Sequence, residues 1–227
     1  MTIAIGMTTA PRPRATVAAS IASLRAAGFR QRVLLFADGD LGTIEDDSLE
    51  MRVNQPPLGG LKNFCHALAA LAETGSPWLL LLEDDTTWAA GSAKALREDL
   101  ARIDPESVGY LSLYMHSSVA RGLERNRRRL AAGWHECRLG WKSCGSQAYL
   151  FPLQSARALL ADPQFQDYRD NWAKNRNRDN VASKCLQDMG LRRLFRVPAL
   201  VDHALGAGNS SLRTKPPRNG RYFTGRA

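Results

Sequence analysis

The sequence has no run approaching the roughly 20 consecutive apolar residues of a bilayer-spanning helix, which argues against membrane insertion. Internal repeats and long low-complexity linkers are also missing, so nothing in the 227 residues forces a second domain. The opening "MTIAIGMTTAPRPR" has no basic residue ahead of its short apolar stretch and prolines directly behind it, unlike a secretory signal. Cysteine is scarce: Cys65, Cys137, Cys144 and Cys185 are scattered, with no C-x-x-C pair. That spacing argues against zinc on His135, Cys137 and Cys144. Without an export signal it predicts reduced thiols in a cytoplasmic protein.

Charge is abundant and uneven. The net charge is +9, yet residues 38–50 hold six acids and no Lys or Arg. Five arginines crowd into "RGLERNRRRL" between Arg121 and Arg129, and from Arg192 onward eight basic residues face one acid, Asp202. A basic half opposite an acidic one is either a solvated surface or the footprint of a phosphate-rich partner.

Hydrophobic periodicity predicts an α/β chain. "TIAIGM" reads as a strand, and Val17, Ile21 and Leu24 then mark a helix that Gly28 stops. "RVLLFADGD" is a second strand, and Leu61, Phe64, Leu68 and Leu71 share a helical face ended by Gly75. The leucine run of "WLLLLEDDTTW" is a third strand, followed by a helix in "GSAKALREDLARI". This alternation predicts a mostly parallel sheet flanked by helices. In the second half, "VGYLSLYM" and "SQAYLF" read as strands, "PLQSARALLAD" as a helix, and "DNVASKCLQDMG" as a helix capped by Asp179 and stopped by Gly190. "LFRVPALVDH" closes the sheet, residues 116–140 read as a basic insertion, and residues 213–227 as a basic tail.

Ligands of open parallel sheets sit beyond the carboxyl ends of the strands, where "TTAPRPR", "ADGD" and "EDDTT" converge. Glu83, Asp84 and Asp85 repel one another unless a cation sits among them. A hard divalent ion held by one or two carboxylates keeps positions open for phosphate oxygens. The competing reading is an acidic turn ahead of the helix that follows Gly91.

The pieces "TIAIGMTTAPRP", "LFADGD", "PLGGLKNFCHAL", "LLLLEDDT", "CGSQAYLFP", "RDNVASKCLQDMG" and "VPALVDHALGAGNSS", in this order, resemble the GT-A class of nucleotide-sugar glycosyltransferases over about residues 2–212. The resemblance implies a single GT-A (Rossmann-like) domain over 1–212, with 116–140 near the acceptor side. It places Glu83, Asp84 and Asp85 at the D-x-D position, with Asp85 the direct ligand of Mn2+ or Mg2+, Glu83 beside it and His203 on the same metal. Thr8, Thr9, Pro11, Arg12 and Asp84 fall where this class holds the nucleotide, and Asp38 where a uracil or ribose is met. Lys62 and Asn63 reach the diphosphate or sugar from a helix N-terminus. Asp179 resembles the base of inverting members, although Arg178 stands where the usual acidic pair has its first acid.

The acceptor side is read from charge and aromatics. Tyr114, His116, Trp134, Trp141 and Lys142 flank the cleft, and Arg127 and Arg128 lie in the basic insertion. Small basic enzymes of this look occur among phage glycosyltransferases that decorate hydroxymethylated pyrimidines, which implies a UDP-sugar donor, a DNA acceptor and a host-cytoplasmic location. A glycosyltransferase of lipopolysaccharide or another surface glycan is the alternative. A catalytically silent nucleic-acid-binding module is the alternative of another class.

Overall fold

The computed structural model describes residues 2–12, 16–115, 130–137, 146–171 and 178–203, with the backbone alone for 178 and 179. Eight strands form one sheet in the order β3-β2-β1-β4-β8-β6-β9-β7. They are β1 (Ile3–Thr9), β2 (Val33–Ala37), β3 (Leu49–Val53), β4 (Trp78–Glu83), β6 (Val108–Ser112), β7 (Gly133–Glu136), β8 (Ala148–Pro152) and β9 (Arg192–Val197). From β3 to β4 every pairing is parallel, whereas β8 runs antiparallel to both β4 and β6. β9 is again parallel to β6, and β7 closes the edge antiparallel to β9.

The leucine run shows why β4 is central. Leu80 and Leu82 enter one apolar layer with Val17, Ile21 and Leu24 of α1 (Val17–Ala26) and Leu96 and Leu100 of α3 (Ser92–Leu100). Leu79 and Leu81 enter the opposite layer. That layer is built from α2 (Gly60–Glu73), α4 (Leu153–Ala161), α5 (Pro163–Asp170) and α6 (Arg178–Asp188). A strand covered on both faces has no polar side to alternate with, so a continuous apolar run is the sequence it needs. Beyond its end, β5 (Thr86–Trp88) pairs antiparallel with β10 (Val201–His203) in a separate two-stranded sheet.

Several segments depart from expectation. Part of the expected 116–140 insertion is β7, an edge strand of the main sheet. "LFRVPALVDH" is two strands, because Pro198 supplies no N–H to a ladder and the chain leaves the main sheet there. Asp179 lies inside the first turn of α6, whose helical residues begin at Arg178, while Gly190 (φ +76) ends that helix as expected. The reduced-thiol expectation holds for Cys65 and Cys185. It fails for Cys137, which is disulfide-bonded to a partner outside the described residues. Residues 204–227, including the expected tail, also lie outside them. No described helix is long and apolar enough to cross a membrane.

Helix α2 packs closely on β1. A Cβ added at Gly6 would stand 2.9 Å from Leu71 Cδ1, and Leu71 is fully buried. Gly6→Ala is therefore expected to destabilise the fold by about 1–3 kcal/mol, read as a lower urea midpoint with unchanged slope.

Candidate functional site

The parallel register of β1 and β4 sets Thr8 beside Glu83, so the segment after β1 and the acidic turn leave the sheet together. Their side chains diverge. Asp84 is 1% exposed, and its carboxylate accepts from Thr9 Oγ1 (2.6 Å), Thr16 Oγ1 (2.9 Å) and Arg12 Nη2 (2.6 Å). Ser20 fastens the same turn through its hydroxyl, 2.6 Å from the Asp84 carbonyl, and accepts from the Thr86 N–H at 3.0 Å. Glu83 Oε1 accepts from Ser146 Oγ at 2.8 Å.

Asp85 points elsewhere. It is 5% exposed, and its Oδ2 lies 3.7 Å from His203 Nδ1 and 3.7 Å from Arg12 Nη1. Its Oδ1 is buried without a hydrogen-bond partner, as is Arg12 Nε. The β5–β10 ladder sets His203 opposite Thr86, and the imidazole stands edge-on to the Tyr114 ring at 5.3 Å.

Burial pushes the Asp84 carboxyl above the ordinary carboxylate range, against the opposing pull of the Thr9 hydroxyl, Arg12 and Thr16. For Asp85 burial acts in the same direction but is outweighed by the neighbouring His203 imidazole and its charge and by Arg12, so its pKa falls. His203 is raised: desolvation works against its charge, but the adjacent Asp85 carboxylate, with Glu83 and Asp202, prevails.

A buried carboxylate with one oxygen unpartnered and the other near an imidazole is a donor pair that fits a divalent ion. Among the described residues no three His, Cys, Asp or Glu side chains form a metal-binding group. Asp85 and His203 could thus supply at most two ligands, which would leave most of an ion's coordination positions to other oxygens. Glu83, expected on the metal, accepts from Ser146 through one carboxylate oxygen. Asp84, expected at the donor, holds Arg12.

Five expected donor residues remain: Thr8, Pro11, Asp38, Lys62 and Asn63. Thr8 Oγ1 is tied to the Leu82 carbonyl. Pro11 lies against Gly39, where an added Cβ would come within 3.2 Å of its Cγ, so the segments after β1 and β2 adjoin. Asp38 accepts from the Leu58 and Gly59 N–H groups (2.6 and 2.8 Å) and from Asn54 Nδ2 (3.2 Å). Asn63 is buried, donating to the Phe36 carbonyl and accepting from Asn54. Both therefore secure the approach to α2, while Lys62 is exposed on its first turn. For Asp179 the structure gives the backbone position in α6. His116, Arg127, Arg128, Trp141 and Lys142 lie outside the described residues. Thr16 and Ser20 were missed, although "TVAAS" sets two hydroxyls four residues apart, on one helical face.

No protein-family model matches the sequence, and neither does any curated protein. Solved structures do match. The structure of GalNAc-T7 with UDP, GalNAc and Mn2+ superposes with a TM-score of 0.63 at 10% identity, covering 100% of this chain and 45% of that one. The chain has the GT-A fold. It spans less than half of that structure's length. The mannosyltransferase PcManGT from Pyrobaculum calidifontis, in complex with GDP-Man and Mn2+, is more distant, with a TM-score of 0.48, 13% identity and coverage of 83% and 53%. Within the GT-A sheet of this chain, the acidic turn follows the carboxyl end of β4.

The opposite pKa shifts of the Asp85–His203 pair fix a pH window for its stabilising effect without metal. Asp85, depressed, contributes above its unfolded value and loses that contribution as pH falls through its folded value. His203, raised, contributes fully below its unfolded value near 6.5 and loses that contribution as pH rises through its folded value. In EDTA, the Tm difference between wild type and His203→Gln is expected to be largest in mildly acidic buffer and to shrink as the solution is made alkaline.

Proposed function

We propose that the chain is a metal-dependent glycosyltransferase that moves a sugar from a nucleotide diphosphate donor, a UDP-sugar first, to a hydroxyl acceptor. The observation that carries this reading is the buried Asp85 carboxylate, whose Oδ1 has no hydrogen-bond partner while its Oδ2 lies 3.7 Å from both His203 Nδ1 and Arg12 Nη1. UDP and Mn2+ in the GalNAc-T7 structure of the same fold support the choice of donor and ion. Asp85 and His203 would hold Mn2+ or Mg2+, which when bound supplies positive charge for the departing diphosphate.

Arg12 adds a fixed guanidinium at the same place, oriented by Asp84, whose two threonine donors keep the ion pair from rotating. Asp179 is the proposed base. It takes the proton of the attacking hydroxyl as the new bond to the anomeric carbon forms and the bond to the diphosphate oxygen breaks, giving inversion in a single displacement.

The favoured acceptor is the hydroxymethyl group of a 5-hydroxymethylpyrimidine in DNA. Arg127, Arg128 and Lys142 would face the phosphates, and His116 and Trp141 would meet a base drawn out of the stack. A surface glycan near lipid phosphates is the second reading. The disulfide at Cys137 favours it, since such bonds persist in oxidising compartments.

Calorimetric titration of UDP is expected to show binding that requires Mn2+ and is lost in Asp85→Ala. A wild-type protein that binds neither UDP nor GDP with Mn2+ present would sink the proposal in favour of a silent module. Asp179→Asn is expected to keep UDP affinity while kcat falls about 10²–10⁴-fold. With hydroxymethylated and unmodified duplexes compared as acceptors, transfer to neither would remove the DNA reading.

A further inference from the structure

At the opposite end of the sheet a recess of about 510 Å³ is lined by Glu136, Cys137, Gln187, Gly190, Leu191, Arg192 and Arg193. β8 reverses the direction of β4, β6 reverses it again, and β9 runs parallel to β6. β9 therefore points the same way as β4. Arg192 and Arg193 open β9, whereas Glu83 closes β4. The recess and the acidic turn thus lie at opposite ends of the strands of one sheet, separated by on the order of a strand length, ~15–20 Å.

Arg193 is the notable group there. It is 6% exposed. Its Nη1 donates to Ser183 Oγ at 2.8 Å and its Nη2 to the Cys137 carbonyl at 3.3 Å. Ser183 is fully buried, with its hydroxyl 3.1 Å from Tyr110 OH, so the guanidinium is anchored to a buried hydroxyl pair. Both acceptors are neutral, and among the described residues Arg193 makes no ion pair with a carboxylate. A buried cation is costly unless its charge is matched, and a guanidinium carries five N–H donors, more than these two acceptors use. Arg192, tied through Nη2 to Ser107 Oγ, adds a second charge at the exposed rim. The exposed Gln187 adds an amide. Glu136, the acid of the lining set, is exposed at the end of β7.

We propose that this recess, with Arg193 at its wall and Arg192 and Gln187 at its rim, is a second ligand site that binds a phosphate group, free or carried on a small molecule. The Arg193 guanidinium at the wall, with the Arg192 charge at the rim, favours an anion, and the guanidinium geometry suits phosphate oxygens. The site is independent of the sugar-donor reading, since it shares no residue with Asp85, His203 or Arg12.

The test is a 1H–15N titration of the full chain in EDTA with inorganic phosphate and, separately, with phenyl phosphate. Saturable shifts are expected at the amides of Glu136, Gly190, Leu191 and Arg193, with Thr9, Arg12 and Asp85 unmoved. Tighter binding of inorganic phosphate assigns the free ion, and tighter binding of phenyl phosphate assigns a phosphomonoester. Arg193→Met should abolish the shifts. Because that residue is buried, Gln187→Glu, a surface change, is the second variant and should weaken binding about tenfold by placing a negative charge at the rim. The proposal is overturned if neither probe shifts these amides at tens of millimolar, if Gln187→Glu binds as tightly as wild type, or if the shifts map to the Arg12 end and vanish in Arg12→Met.

Discussion

The Asp84 carboxylate is the tie on which the functional end of the molecule depends. Three donors from three places meet on it: Thr9 at the end of β1, Arg12 beyond it, and Thr16 just before α1. A carboxylate this buried is tolerated because it is both paired and hydrogen-bonded. The pairing also answers how three adjacent acids coexist. The cation among them is first of all Arg12, which bridges Asp84 and Asp85. The three acids then act separately, Glu83 steadying Ser146, Asp84 positioning Arg12, and Asp85 keeping one oxygen uncommitted.

The central architecture was legible because its physics is local. A leucine run between two helix-covered faces has one stable use, and the apolar stripes of α1 and α2 follow from their 3.6-residue period. β3 was not legible, since Glu50 and Arg52 sit in an edge strand and dilute its apolar pattern. β7 was hidden just beyond the arginine-rich stretch, within a segment whose composition spoke for a loop. The helix at Pro163 carried a readable signal: Asp162 accepts from the Phe165 N–H, with a proline next to it.

At the site, the residue types were legible and their division of labour was not. In sequence Glu83, Asp84 and Asp85 look interchangeable, and only the turn after β4 sends their side chains to different partners. Asn63 and Asp38 likewise read as cleft residues by position, yet both share Asn54 as a partner, and Asn54 also meets His66. That network is formed by tertiary packing across β2, the loop before α2 and α2 itself, which no local pattern encodes.

The short β5–β10 ladder carries a consequence for assembly. Asp85 belongs to the first half of the fold, and its partner His203 arrives on a strand near the end of the described chain. Contacts between residues so far apart in sequence close late, because the intervening loop entropy has to be overcome first. A folding intermediate containing only β1 to β4 would have the acidic turn and Arg12 in place without the imidazole. Until the last strand docks, the carboxylates are neutralised from within, and the Asp85–His203 pair does not exist.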